Sequence, residues 1–185
     1  MDLHDAIHAR RTVQRYTGEP VPADVLDVAL AAAHMAPCHK LTWPWRFTVL
    51  GAESREALVR TAVRLNVEKK GGDAAKVEAR VRGRVGSAGA LLLVSQVLDA
   101  DAHRREEDYA ATACAIQNLM LSLHAQGYGS KWSTGGFSKA AETYTMAGID
   151  PVAERIVGCI LAGTPAAACN VPPRTPIADH VRRIP

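Results

Sequence analysis

From residue 23 to 35, Val25, Val28, Ala29 and Ala32 recur at the three-to-four-residue spacing of one helix face. Pro22 suits a first turn and Pro37 stops the run, so the pattern predicts a helix over 23–35. A shorter helix is expected over 2–10, with Leu3, Ala6 and Ile7 toward one side. Residues 53–70 and 73–86 also read as helical, split by Gly71-Gly72. The longest helix is predicted over 106–126. It is apolar nearly all round through Ala110, Ala113, Cys114, Ile116, Leu119, Met120, Leu121 and Leu123. Such a helix is buried on most sides, within a core or at a subunit contact. Gly127 ends it as a capping glycine does. A last short helix reads over 138–146.

The strand signals are different in kind. "ALLLVSQV" (90–97) and "RIVGCILAG" (155–163) are continuous apolar runs, as expected of strands covered on both faces. "WRFTVL" (45–50) is strand-like, and "SKWST" (130–134) is a short strand or turn. "RRTVQRYTGEPVP" (10–22), rich in Arg, Gly and Pro, reads as a loop. This order lacks the regular strand–helix alternation of a doubly wound sheet. No G-x-G-x-x-G follows a strand and no G-x-x-x-x-G-K-[ST] occurs, so neither standard nucleotide cradle is present. Residues 166–185 carry Pro172, Pro173, Pro176 and Pro185, with Pro165 just before. They hold few large apolar side chains and read either as a disordered tail or as an arm laid on a partner chain.

Composition narrows the class without naming a chemistry. With 185 residues, 48% hydrophobic and 22% charged, the chain fits one domain of ordinary balance. No apolar run reaches the ~18 residues of a membrane span, and the charged N-terminus lacks the apolar core of a secretory signal. Cys38, Cys114, Cys159 and Cys169 form no C-x-x-C pair, which predicts neither a zinc site nor a redox dithiol but reduced thiols in a cytoplasmic protein. The net charge of +3 is uneven. Residues 60–84 hold eight cations against three acids, a local excess of +5. A nucleic-acid partner is one reading of that stretch. It has no aromatic residue to stack on bases, so a solvated helical surface is the better account.

Three segments could carry chemistry. Arg10, Arg11 and Thr12 offer fork-shaped donors and a hydroxyl suited to phosphate; the plainer reading is basic side chains at a helix C-terminus. "APCHKLTWPW" (36–45) puts His39 and Lys40 between prolines that stiffen the loop, with Trp43 and Trp45 as core or interface aromatics. Cys38 beside His39 raises a thiol nucleophile, but neighbouring side chains seldom point at one another. "GYGSKWSTGGF" (127–137) lets backbone approach a flat ligand closely, or is an ordinary glycine-rich turn. His4 and His8 share a helix face, yet no third ligand accompanies them and a surface pair explains them better. No catalytic side chain and no metal site is assigned.

Taken in order, "RRT" (10–12), "APCHK" (36–40), "PWRFTVL" (44–50), "AIQNLMLSLHAQGYGSKW" (115–132), "GTP" (163–165) and "NVPPRTP" (170–176) resemble the nitroreductase family of FMN-dependent oxidoreductases, closest to its minimal YdjA-type members. The resemblance spans about residues 3 to 177. It implies an α+β sandwich with a central, mainly antiparallel sheet: a single domain over 1–165 and an arm over 166–185 that extends across the partner of an intertwined homodimer. Two FMN sites would lie at the subunit interface. By the same resemblance Arg10, Arg11 and Thr12 contact the phosphate and ribityl chain. Met35 and His39 reach the flavin of the other subunit, and Trp132, Ser133 and Thr134 form the second flavin segment. Ser122, Leu123, His124, Ala125, Gln126 and Gly127 fall where some members meet the nicotinamide.

The implied activity is transfer of hydride from NADH or NADPH to FMN and then to a nitroaromatic, quinone or similar acceptor, in a ping-pong cycle without an obligatory acid–base side chain. Departures from the family pattern are Met35 where near-relatives often have Arg, Trp43 where Gln is common, and Gln14 where some members place a Lys at the flavin N1–O2 edge. Arg15 or Lys131 is the candidate to replace that Lys. The rival readings are a flavin-storage protein without catalysis and a nucleic-acid-binding module that uses residues 60–84. A further possibility is that residues 60–86 form a lid over the pocket.

Overall fold

A computed structural model describes residues 1–71 and 73–185. Among the described residues six α-helices surround one sheet: α1 (Leu3–Ala9), α2 (Ala23–His34), α3 (Ala52–Lys70), α4 (Ala74–Val81), α5 (Ala102–Ala125) and α6 (Ala141–Ala147). The strands are β1 (Trp45–Val49), β2 (Ala90–Val97), β3 (Gly129–Ser133) and β4 (Glu154–Gly163), in the order β1-β2-β4-β3 and antiparallel throughout. This is the α+β architecture expected from the sequence. No helix among the described residues is long and apolar enough to cross a membrane.

The continuous apolar runs of β2 and β4 are explained by two cores, one on each face of the sheet. Ala90, Leu92 and Val94 pack with α2 and α5, whereas Leu91 and Leu93 pack with α3 and α4. Strand alternation alone gives that division. On β4 the alternation changes phase. Ile156 lies in the α3–α4 core and Val157 in the α2–α5 core, yet Cys159 is back in the former and Ile160 in the latter. The cause is a bulge: Val94 pairs with Gly158 and Ser95 with Ile156, leaving Val157 without an opposite residue. The one sequence signal beside it is Gly158, a glycine inside an apolar strand run.

Helix boundaries differ from expectation where caps decide them. α5 begins at Ala102 rather than 106 because the Asp101 carboxylate accepts from the His103 N–H at 3.0 Å. The helix expected over 73–86 ends at Val81 and continues as a π-type turn, Arg82–Gly86. Gly71 closes α3 at φ 64; Gly72, the second half of the expected break, lies outside the described residues. The helix expected over 138–146 is a 3₁₀ turn, Gly136–Lys139, followed by α6. Two inward faces also need correction. In α1 only Ala6 is buried, with Leu3 66% and Ile7 50% exposed. In α2 the buried residues are Ala29 and Ala33, and Val28 is 55% exposed. Trp45, by contrast, is buried as expected of a strand anchor.

Gly158 is where the bulged strand leaves least room. A Cβ there would collide with the Trp132 indole nitrogen and the Ser133 carbonyl, the latter backbone and unable to yield. Gly158→Ala should therefore destabilise the fold by about 1–3 kcal/mol, a thermal midpoint roughly 2–4 °C lower per kcal/mol for a chain of this size. An unchanged melting curve would mean that Trp132 does not pack on this strand.

Candidate functional site

The loop after α1 is stitched to the edge of the sheet. Thr12 bridges Ser130 of β3, and the Val13 N–H donates to the Ser130 carbonyl at 3.1 Å. Tyr16 is buried, and its hydroxyl donates to the Leu161 and Val13 carbonyls at 3.1 and 3.2 Å. The Thr17 N–H donates to the Thr164 carbonyl and the Ala166 N–H to the Arg15 carbonyl. The start of the C-terminal segment is thereby tied to the same loop. Between them lies a cavity of about 1270 Å³, lined by Ile7 and His8, by Arg10 to Arg15, and by Ala167 to Arg174.

Its electrostatics are one-sided. Burial above all, then the charges of Arg11 and Arg174, push the Arg10 pKa below the usual arginine value. Burial and the charges of Arg10 and Arg11 likewise lower that of His124, whose buried Nε2 has no hydrogen-bond partner. Among the described residues none of Arg10, Arg11, Arg15 and Arg174 is ion-paired. Several guanidiniums lining a cavity with no carboxylate on them suit a phosphate-sized anion. Arg11 also satisfies the plainer reading: its guanidinium donates to the His8 and Arg10 carbonyls at 2.6 and 2.8 Å, capping α1.

Across the loop from the arginines, the Lys131 ammonium donates to Gln14 Oε1 at 2.9 Å. Burial, then Arg84, lower the pKa of this lysine. Trp132 packs into the α2–α5 core, Ser133 is half-buried and Thr134 exposed, all at the end of β3 that follows Ser130.

The other sequence candidates lie elsewhere. Met35 is 80% exposed at the end of α2, and neither it nor His39 lines the cavity. In the segment 122–127, Leu123 is fully buried, and the Gln126 amide donates to the Val25 and Ser122 carbonyls. These two residues end α5 and dock it on α2. The Cys38 and His39 side chains do not face one another: the sulfur contacts Thr42, the Trp43 N–H and the His39 carbonyl, while the His39 ring is 3.9 Å from Glu107. Arg174 was passed over at the level of sequence; the signal for it was an arginine inside the proline-rich motif "NVPPRTP".

Residues 7–164 match the model of the Nitroreductase family. The chain belongs to the nitroreductase family. Two relatives carry names that give them, provisionally, as NAD(P)H nitroreductases. YfhC of Bacillus subtilis (strain 168) is 33% identical over 179 residues, 96% of this chain and 92% of that one. YdjA of Escherichia coli (strain K12) is 28% identical over 192 residues, 97% of this chain and 100% of that one. A Desulfovibrio desulfuricans nitroreductase-type protein solved in complex with FMN superposes with a TM-score of 0.78 at 26% identity, covering 100% and 98% of the two chains. This family member is thus an oxidoreductase of the nitroreductase type.

The basic stretch has a different character from the site. Arg60, Arg64 and Arg82 pair with Glu56, Glu68, Glu78 and Glu142. Glu56 and Glu142 lie outside the stretch and bring its excess from +5 to +3, and the pairs hold these arginines on a helix surface, which favours the solvated-surface reading over a nucleic-acid face.

His124 makes the fold acid-sensitive. Its folded pKa lies below the ordinary value, so the unfolded chain takes up the proton first. The neutral ring's contribution to stability is complete above about pH 6.5 and is lost as pH falls below it. His124→Gln should flatten that part of the stability profile, measured by thermal melts of the flavin-free protein from about pH 8 to about pH 5.5. A slope identical to the parent's would remove His124 as its source.

Proposed function

We propose that this chain is an FMN-dependent oxidoreductase that takes hydride from NADH or NADPH and reduces nitroaromatic, quinone or similar acceptors, working as an intertwined homodimer in the cytoplasm. The observation that carries the reading is the cavity where Arg10, Arg11 and Arg174 meet without an acid to neutralise them. Family membership and the FMN complex of the Desulfovibrio relative support it. When bound, FMN supplies the redox chemistry, accepting a hydride from the nicotinamide and passing it to an acceptor that then takes the same place.

The protein's own work is binding and electrostatics. Arg10 and Arg174 hold the phosphate, with the Thr12 hydroxyl beside them, while Arg11 keeps α1 in place and adds charge. Trp132, Ser133 and Thr134 border the ring on β3. Lys131, oriented by Gln14, stabilises negative charge arriving at the ring edge. Met35 and His39, exposed and away from this cavity, serve the partner's site. The same partner covers the exposed side of α5 at Ala110, Cys114 and Gln117, and the arm from 166 onward reaches across it.

The test is the visible spectrum of the purified protein, before and after anaerobic NADPH and then NADH. A flavin spectrum that bleaches and recovers with a quinone or nitroaromatic establishes the activity. Colour that no pyridine nucleotide bleaches indicates storage, and a protein that cannot be reconstituted with FMN refutes the proposal.

Arg10→Ala removes one charge-assisted contact and should weaken FMN by about 1.5–3 kcal/mol, on the order of 10- to 100-fold; equal retention by equilibrium dialysis would take the phosphate away from Arg10. Lys131→Met should lower the reduction potential of the bound flavin by about 30 mV, equivalent to about 1.4 kcal/mol for two electrons. A potentiometric titration that shows no shift places Lys131 away from the ring.

A further inference from the structure

The turn between α2 and β1 adopts a backbone that its residues disfavour. Lys40, Leu41 and Trp43 have φ values of 60, 55 and 47, the left-handed region. None is glycine, asparagine or aspartate, the residues that visit it readily. Three such residues within four positions persist only where the surroundings hold them.

One chain of hydrogen bonds does so. The Trp43 N–H donates to Cys38 Sγ at 3.2 Å, closing the turn on itself. Cys38 Sγ lies 3.2 Å from Thr42 Oγ1, and Thr42 Oγ1 donates to Asp108 Oδ1 at 2.6 Å. Because the threonine hydrogen is committed to the carboxylate, the oxygen faces the thiol as an acceptor. The S–H has two acceptors in reach, that oxygen at 3.2 Å and the His39 carbonyl at 3.7 Å; with the nearer one taken, all three bonds run in one direction, from Trp43 to Asp108. Asp108 is 4% exposed on α5, so the far end of the chain is fixed in the core. Its neighbour Glu107 lies 3.9 Å from the His39 ring, so the same turn and the same helix also approach there.

We propose that Cys38, Thr42 and Asp108 form a latch that keeps this strained turn in shape and so presents His39 to the flavin site of the partner subunit. They are positioning residues and touch neither cofactor nor substrate. The last step, presentation to a flavin, rests on the function proposed above; the latch itself does not.

Thr42→Val removes the hydroxyl at an exposed position with little change in shape, and Thr42→Ser restores it. In flavin-free protein, hydrogen exchange at the Leu41 and Trp43 amides should quicken at least about tenfold in Thr42→Val and stay near parental in Thr42→Ser. The near-UV circular dichroism of the Trp43–Trp45 pair, whose rings lie 5.9 Å apart, should change in the same variant. Cys38→Ala added to Thr42→Val should cost little more than either alone, because the bonds act as one unit. FMN should bind about tenfold more weakly to Thr42→Val. Exchange at parental rates in Thr42→Val, or full additivity of the two substitutions, overturns the latch. Faster exchange with unchanged FMN affinity overturns its link to the site. If the parent itself binds no FMN, the proposed function falls, and exchange still decides the latch.

Discussion

Backbone bonds between the loop after α1 and the sheet edge fix the position of everything else at the site. Val13 to Ser130, Thr17 to Thr164 and Ala166 to Arg15 use main-chain groups only, so they hold whatever side chains the loop carries. Tyr16 adds a buried hydroxyl shared between two carbonyls, one in the loop and one in β4. That hydroxyl has no water to fall back on, and leaving either partner unpaired in the core carries a full desolvation penalty. The loop is therefore as rigid as the strands it lies on. It brings the arginines and the first residues of the C-terminal segment to opposite walls of one cavity.

The arginines that line this cavity repel one another. Arg10 is confined by burial and faces two like charges. His124 responds to the same field by favouring its neutral form. Like charges held together oppose folding, and an anion reverses the sign of that contribution. An anion held between these guanidiniums would therefore add to stability as well as fill the cavity. The usual reservoir of functional strain is backbone geometry; here part of it is charge.

The main elements of the fold were legible from periodicity because hydrophobic burial acts on every residue of an element, whereas their layering came from the family resemblance. β2 and β4 showed as continuous apolar runs, α5 as a helix apolar on most sides, and Trp45 as a strand anchor. What sequence did not show depends on single bonds or on one residue's register. The bulge at Val157 moves Cys159 and Ile160 to opposite cores without any change in composition. The early start of α5 rests on one carboxylate. The left-handed turn at Lys40–Trp43 contradicts local propensity outright, since neither Leu nor Trp favours that region. At the site, Arg10 to Thr12 were legible as a motif, whereas Arg174 and the Lys131–Gln14 pair needed the chain to be folded before they met.

The two basic regions of this chain show why charge counts alone misdirect. Residues 60–84 carry the larger local excess, yet Glu56, Glu68 and Glu78 stand one helical turn from Arg60, Arg64 and Arg82 and neutralise them in place. Such exposed pairs contribute little to stability, but they cancel the field that an anion would follow. Arg10, Arg11 and Arg174 are fewer, come from both ends of the chain, and have no acid beside them. The cavity thus presents arginines without acids, and the helices present arginines paired with acids. The two regions differ in where the acids are as much as in where the arginines are.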